Sequence, residues 1–371
     1  MKILINGITL DNANIVPLLT NVRYFQDRGA EITVIGSTLL NERINQSGIL
    51  NNFIFFEIES RKKISSNLDL ITEGLKRNFL AIRSIKKMRE RYDVVYSRSS
   101  VLDLLIFPYA LKSLDKKIKW VAVFDNTVTW PQTSRKIAWF FYLLSLVLLK
   151  KVDTIFAVSD ELKKYLVTKG FHDKKIVVTG NAVEAELINK ALTDGRYSLD
   201  ALFVGRINEQ KGVFDMLEVL SEVVKKYPNF QLGIVGKGDS STESEFKKKI
   251  NEMKLKDNVQ LFGYVVGQEK YNIIKSSRVF WSLSRSESFG LALLEAVASG
   301  KPALVYGIQA YNKIYLDNEI YRFKKGDING VASKTIEIFE NREFENSKGK
   351  LLLNKYGSWD RIAEIEYQSL V

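Results

Sequence analysis

Seven short, nearly unbroken apolar runs pace the first half of this chain: KILIN (2–6), EITVIG (31–36), FIFFEI (53–58), YDVVYS (92–97), IKWVAVF (118–124), DTIFAVS (153–159) and KIVVTG (175–180). Runs that do not alternate with polar residues make strands covered on both faces, which is the condition of a parallel sheet. Longer segments at helical spacing separate them, such as Leu68, Ile71, Leu75, Phe79 and Ile82. After TGNAVEAE (179–186) the order restarts with DALFVG, FQLGIVG, NVQLFGYV, RVFWSLS and KPALVY. Strand-helix alternation, twice over in 371 residues, predicts an α/β chain of two doubly wound Rossmann-like domains facing across a cleft.

The residue inventory removes several chemistries. There is no cysteine, so disulfides and thiolate metal sites are out, and His172 is the single histidine. No metal site and no cofactor are expected. The opening MKILINGITL is too brief an apolar run for a leader peptide and reads as a first strand, which places the protein in the cytoplasm. Charge divides unevenly: residues 1–180 hold 28 Lys+Arg against 17 Asp+Glu, whereas residues 181–371 hold 27 against 26. Such an excess is usually a solvated helix face. Its sharper reading is an anionic partner, either a membrane surface or a phosphorylated acceptor. No nucleic-acid-binding motif is present, so nucleic acid is not expected as a partner.

Phosphate chemistry is best supported in the second half. ALFVGRINEQKGV places Gly205, Arg206 and Lys211 after a strand and at the start of the next helix, where cations and free N–H groups can meet a diphosphate. Gly236-x-Gly238 repeats the arrangement one unit later, but without a third glycine it fails as a dinucleotide fingerprint. In SRSESFGLALLEAVASGKP (284–302), Glu287 and Glu295 bracket a Phe-Gly pair where a helix begins. A helix cap and an exposed helix position are the ordinary uses of two such glutamates. Carboxylates also accept from vicinal hydroxyls, and the N–H groups of Ser288, Phe289, Gly290 and Leu291 can face ligand oxygens.

FVGRINEQKG, VGKGD, ESFGLALLEAVASGKP and FAVSDELKKYL with NAV, taken in order, resemble the retaining glycosyltransferases of family 4, which have the GT-B fold. The likeness covers residues 150–305 best, and YGSWDRIAEIEYQSL resembles that family's last helix, which crosses back to the first domain. The resemblance implies a hexosyltransferase that takes a nucleotide-diphosphate sugar as donor and a hydroxyl as acceptor, with retention and without a metal. It implies that Glu287 binds the donor sugar, that Glu295 binds the ribose, and that Arg206 and Lys211 neutralise the leaving diphosphate. No Asp-x-Asp occurs in the chain.

The first half departs from that pattern. NGITLDNANIV has Gly7 without a paired glycine, and VFDNTVTWPQ stands where relatives often have a histidine, which leaves Asp125 as the candidate polar group at the reaction centre. An aspartate ending a strand is about as often a turn cap. Expected boundaries are 1–182 for the acceptor-side domain, 183–355 for the donor domain and 356–371 for the returning helix. A face carrying Lys62, Lys63, Lys76, Arg77, Lys86 and Lys87 is expected to meet anionic lipid, which would suit a lipid-linked acceptor in glycolipid or cell-surface polysaccharide synthesis and a peripheral site on the membrane. Ile137 to Leu149 carry no charge and read as a buried core helix, with an interfacial helix as the lesser reading. A sugar-nucleotide epimerase and a catalytically weak sugar-nucleotide-binding protein are the alternatives.

Overall fold

The computed structural model describes residues 1–10, 14–48, 53–60, 67–85, 92–128 and 136–371, with the side chains of 67–70 and 136–138 outside that description. It divides into two compact units, Met1–Gly180 with Trp359–Val371, and Asn181–Ser358. In the first, β1 (Lys2–Gly7), α1 (Val16–Gln26), β2 (Glu31–Ser37), α2 (Thr38–Ser47), β3 (Ile54–Ile58), α3 (Asn67–Ser84), β4 (Val94–Ser97), α4 (Leu102–Leu114), β5 (Lys119–Phe124), α5 (Lys136–Leu149), β6 (Thr154–Ala157), α6 (Asp160–Thr168) and β7 (Ile176–Val178) follow in turn. The sheet is parallel in the order β3-β2-β1-β4-β5-β6-β7. Its central strands are apolar on both sides and almost fully buried, which is why their sequences do not alternate. The last helix, Trp359–Gln368, belongs to this unit. It is held by Glu366, whose carboxylate accepts from Tyr96 at 2.8 Å and Asn21 at 2.6 Å in the core. Burial raises the Glu366 carboxyl above its usual range, with Arg98 and these two hydrogen bonds acting against it.

Under α3 the core is polar. Pro108 lies inside α4 and has no N–H for the carbonyl of Leu104, and Asn6 Nδ2 donates to that oxygen at 2.9 Å instead. One residue earlier, Asn78 of α3 enters the ladder: its Nδ2 donates to Asp103 O at 2.8 Å and its Oδ1 accepts from Phe107 N at 3.0 Å. Arg77, expected on the basic face, is fully buried, donating to Ile8 O at 3.0 Å and Ser60 Oγ at 3.1 Å, with Glu73 beside it. Backbone and hydroxyl acceptors inside the unit, together with an acidic neighbour, make burial of that guanidinium tolerable. With Glu73, Arg77 and Asn78 turned inward, the apolar stripe faces out, and Phe79 is 63% exposed and Leu75 54%. Lys62, Lys63, Lys86 and Lys87 lie outside the described residues. The expectation of a core helix at 137–149 is corrected too: α5 buries Ser145, Leu146 and Leu149 but leaves Phe140 55% and Val147 60% exposed. Nothing among the described residues covers that side. No helix of the described residues is long and apolar enough to cross a membrane.

The second unit contains α7 (Ala185–Lys190), β8 (Leu199–Val204), α8 (Val213–Val223), β9 (Leu232–Val235), α9 (Ser240–Glu252), β10 (Val259–Gly263), α10 (Gly267–Ser276), β11 (Ser277–Ser282), α11 (Leu291–Ala298), β12 (Ala303–Tyr306), β13 (Tyr321–Phe323), α12 (Ile328–Asn341) and α13 (Gly349–Tyr356). Its sheet is parallel in the order β10-β9-β8-β11-β12-β13, so the strand order reverses beside β8 and β11. In open α/β sheets a ligand crevice forms at the carboxyl ends of the strands flanking such a reversal. The loops that follow β8 and β11 carry the residues singled out above.

Candidate functional site

The loops after β8 and β9 press together backbone to backbone. Gly205 N donates to Val235 O at 2.9 Å, and Gly236 N to Gly263 O at 2.7 Å. Gly236 has φ +141°, and a Cβ there would lie 1.8 Å from Gly205 O, so both the dihedral and the approach require glycine. Asn208 then caps a single 3₁₀ turn by accepting from Lys211 N at 2.9 Å, and Gly212, at φ +69°, sits where a Cβ would come 2.1 Å from Leu283 O. This fixes Lys211 against the end of β11.

That contact brings Lys211 onto the glutamate segment. Lys211 Nζ lies 2.5 Å from Glu287 Oε1, and Ser284 Oγ donates to the same oxygen at 2.8 Å. The side chains are 22% and 14% exposed, so the pair is largely but not fully withdrawn from water. Glu287 does not cap α11: the cap position is Gly290, at φ +85°, packed against the Tyr311 ring, and no side chain accepts from the helix start. The first N–H groups of α11 therefore lack side-chain caps. Ser288 and Leu291 are half-buried at this corner, but the Phe289 ring is core, edge-on to Tyr356 at 5.8 Å. Only the backbone of Phe289 is available to a ligand.

Glu295, about one turn into α11, is not an exposed position. Lys270 Nζ of α10 lies 2.7 Å from its Oε1, and Tyr271 OH donates to it at 3.2 Å and to Glu184 at 3.3 Å. Burial, then the Glu295 and Glu184 carboxylates, hold the Tyr271 phenol far above its ordinary value, which keeps it a donor. Arg206 is exposed and has no hydrogen-bond or ion-pair partner among the described residues. Asp125 belongs to the other unit, following β5, and accepts from Ser99 Oγ at 3.2 Å on both carboxylate oxygens.

Two groups of supporting residues were not singled out from sequence. Lys270 and Tyr271 orient Glu295. Arg285 makes a forked pair with Asp215 at 2.7 and 2.8 Å, Tyr306 donates to the same carboxylate at 2.6 Å, and Arg285 N donates to Gln210 O at 2.8 Å, tying the Glu287 loop to α8 and the Lys211 turn. Beyond the paired glycines lies a cavity of about 240 Å³ lined by Ile207, Gly236, Lys237, Phe246, Leu261 and Gly263.

Two parallel-sheet Rossmann-like units define the GT-B class of glycosyltransferases, and this chain has that architecture. The Anabaena protein HepE, solved in complex with UDP and glucose, superposes with a TM-score of 0.77 at 14% identity, covering 100% of this chain and 99% of that one. The model of Glycosyltransferase Family 4 matches residues 18–187 and that of Glycosyl transferases group 1 matches residues 197–350. The chain belongs to glycosyltransferase family 4. It is 28% identical over 190 residues to a phosphatidyl-myo-inositol mannosyltransferase of Mycolicibacterium smegmatis, covering 50% of this chain and 48% of that one, so the match spans about half of that relative. An uncharacterized 41.2 kDa protein in the cps region of Klebsiella pneumoniae is 27% identical over 338 residues, 86% of this chain and 89% of that one.

Proposed function

We propose that the chain transfers a hexose from a nucleoside-diphosphate sugar to a hydroxyl acceptor, with retention of anomeric configuration and without a metal. The observation that carries this is the Lys211–Glu287 pair at the uncapped start of α11, with Arg206, exposed and without a partner among the described residues, on the same loop as Lys211. In the empty site each member neutralises the other. A diphosphate draws Lys211 away to join Arg206, and Glu287 is released to accept from the hydroxyls of the sugar it accompanies. Arg206, Lys211 and the first N–H groups of α11 then face the charge that grows on the departing nucleoside diphosphate. Glu295, held by Lys270 and Tyr271, accepts from the ribose hydroxyls. The base lies along the backbone that follows β10, next to the 240 Å³ cavity.

The proposed setting is cytoplasmic and membrane-peripheral; the mannosyltransferase relative acts on a phosphatidyl-inositol by its name, which supports a lipid-linked acceptor. Asp125 is proposed as the first unit's polar group at the reaction centre. The test is a thermal-shift panel of UDP-, GDP- and ADP-sugars. A donor at a hundred times its dissociation constant stabilises by about 2.7 kcal/mol, and that shift must shrink when Arg206 and Lys211 are both replaced by alanine. No shift with any of the three bases refutes the proposal.

A further inference from the structure

Two helices of the first unit show an apolar stripe to solvent where an ordinary amphipathic helix is polar: α3 is turned inside out, and α5 is apolar on both its inner and its outer side. α3 buries Glu73, Arg77 and Asn78 and shows Leu75, Phe79 and Ile82 to solvent. α5 buries Ser145, Leu146 and Leu149 and also shows Phe140, Leu143, Leu144 and Val147, a set spaced as one helical stripe. α4 packs between them. All three connect strands that advance in one direction across the sheet, so right-handed crossovers lay them side by side on one face. α4 adds Leu114, 73% exposed. Isolated exposed apolar residues are commonplace, but stripes on neighbouring helices of one layer make a surface.

The charges beside this surface say what it meets. Each helix leads into the next parallel strand, so the C-terminal ends of α3, α4 and α5 gather along one edge of the layer. That edge carries Arg83 on α3, Lys116 and Lys117 just after α4, and Lys150 and Lys151 just after α5, all exposed. The α5 stripe runs directly into its two lysines, and α5 contains no acidic residue. An apolar helix face bordered by cations is the pattern of a helix lying in the headgroup region of a bilayer. Anionic headgroups complement these cations, whereas a second copy of the same face brings only the same cations. We propose that the outer faces of α3, α4 and α5 form a docking surface for an anionic lipid bilayer. It rests on and deepens the membrane-peripheral setting proposed above, and its failure would leave the transfer reaction itself untouched.

The experiment is co-sedimentation of the full chain with vesicles of phosphatidylcholine alone and of phosphatidylcholine mixed with phosphatidylglycerol, at about 0.1 M and 1 M salt, where the Debye length falls from about 10 to 3 Å. The variants are Phe140→Ser with Val147→Ser, and Lys150→Gln with Lys151→Gln, each checked for an unchanged melting transition. Wild type should bind the mixed vesicles about tenfold or more better than the neutral ones. The serine pair should lower that partitioning about tenfold, and the glutamine pair about tenfold or more, since each cation near such a surface contributes roughly fivefold. High salt should weaken wild-type binding. Absence of binding to either vesicle overturns the proposal, as does binding that neither variant changes. A wild-type dimer that the serine pair makes monomeric, with no vesicle binding, assigns the face to a second copy and overturns it equally.

Discussion

Glu287→Gln should bind free nucleoside diphosphate more tightly than wild type while transferring sugar more slowly. The Lys211 ammonium has one partner among the described residues, Glu287, at 2.5 Å, and diphosphate must displace it. The amide retains the bond from Ser284 Oγ, which needs only an acceptor oxygen, but it loses the charge that holds Lys211. With side chains 22% and 14% exposed, the pair is neither a surface bridge nor a dry one. A net contribution of about 0.5–1.5 kcal/mol is therefore appropriate, which translates into about 2- to 12-fold tighter binding when the competition is removed. Calorimetric titration of UDP and GDP into wild type, Glu287→Gln, Lys211→Met and the double variant closes a thermodynamic cycle. Lys211→Met should weaken binding, and adding Glu287→Gln to it should bring no further gain. Turnover with a donor sugar should fall in both glutamate variants. Unchanged or weaker nucleotide binding in Glu287→Gln, or strict additivity in the cycle, refutes the exchange.

Arg206→Ala should cost more nucleotide affinity than Lys211→Met, about 10- to 150-fold, because Arg206 has no partner among the described residues to give up when it takes a phosphate; the same titrations measure it. Gly236→Ala forces an L side chain to φ +141° and onto Gly205 O, so denaturant melts should show a loss of at least about 2 kcal/mol. Glu366→Gln should raise the melting temperature at alkaline pH. The Glu366 carboxyl is raised in the folded protein, so the native state binds more protons than the unfolded one between the two values, and the glutamate's share of stability falls as pH rises through that window. The advantage of glutamine should shrink as pH drops towards the ordinary carboxylate range, and a pH-independent difference would count against burial as the cause.

Much of the architecture was written locally. Strands such as IKWVAVF and LDALFV are apolar on both sides, and that needs only a short window to see. Gly236 and Gly290 stood out within their short motifs, but the neighbours that require glycine there, Gly205 O and the Tyr311 ring, come from other segments. Arg77 was misplaced because its surroundings are assembled from afar: Ser60, the carbonyl of Ile8 and a helix layer turned by Asn78, whose partners exist because Pro108 and its neighbours open the α4 ladder. The spacing of Leu75 and Phe79 announces a helix correctly but does not say which side faces the sheet. In the site, Glu287 and Glu295 stood out within one motif. Lys270 and the Arg285–Asp215 pair did not, since Lys270 meets Glu295 across 25 residues and Arg285 meets Asp215 across 70, and nothing in either segment names the other.

The central claim is sugar transfer from a nucleotide donor, and release of nucleoside diphosphate with and without acceptor tests it most directly. Wild type should be incubated with the UDP-, GDP- or ADP-sugar that gives the largest thermal shift, with chelator present, alone and with a membrane-lipid extract as the source of hydroxyl acceptor. The account predicts slow release from the donor alone, acceleration by the extract with sugar recovered in the lipid fraction, and loss of that acceleration in Glu287→Gln. A donor sugar that is epimerised without acceptor, or one that binds and is never consumed, would contradict it.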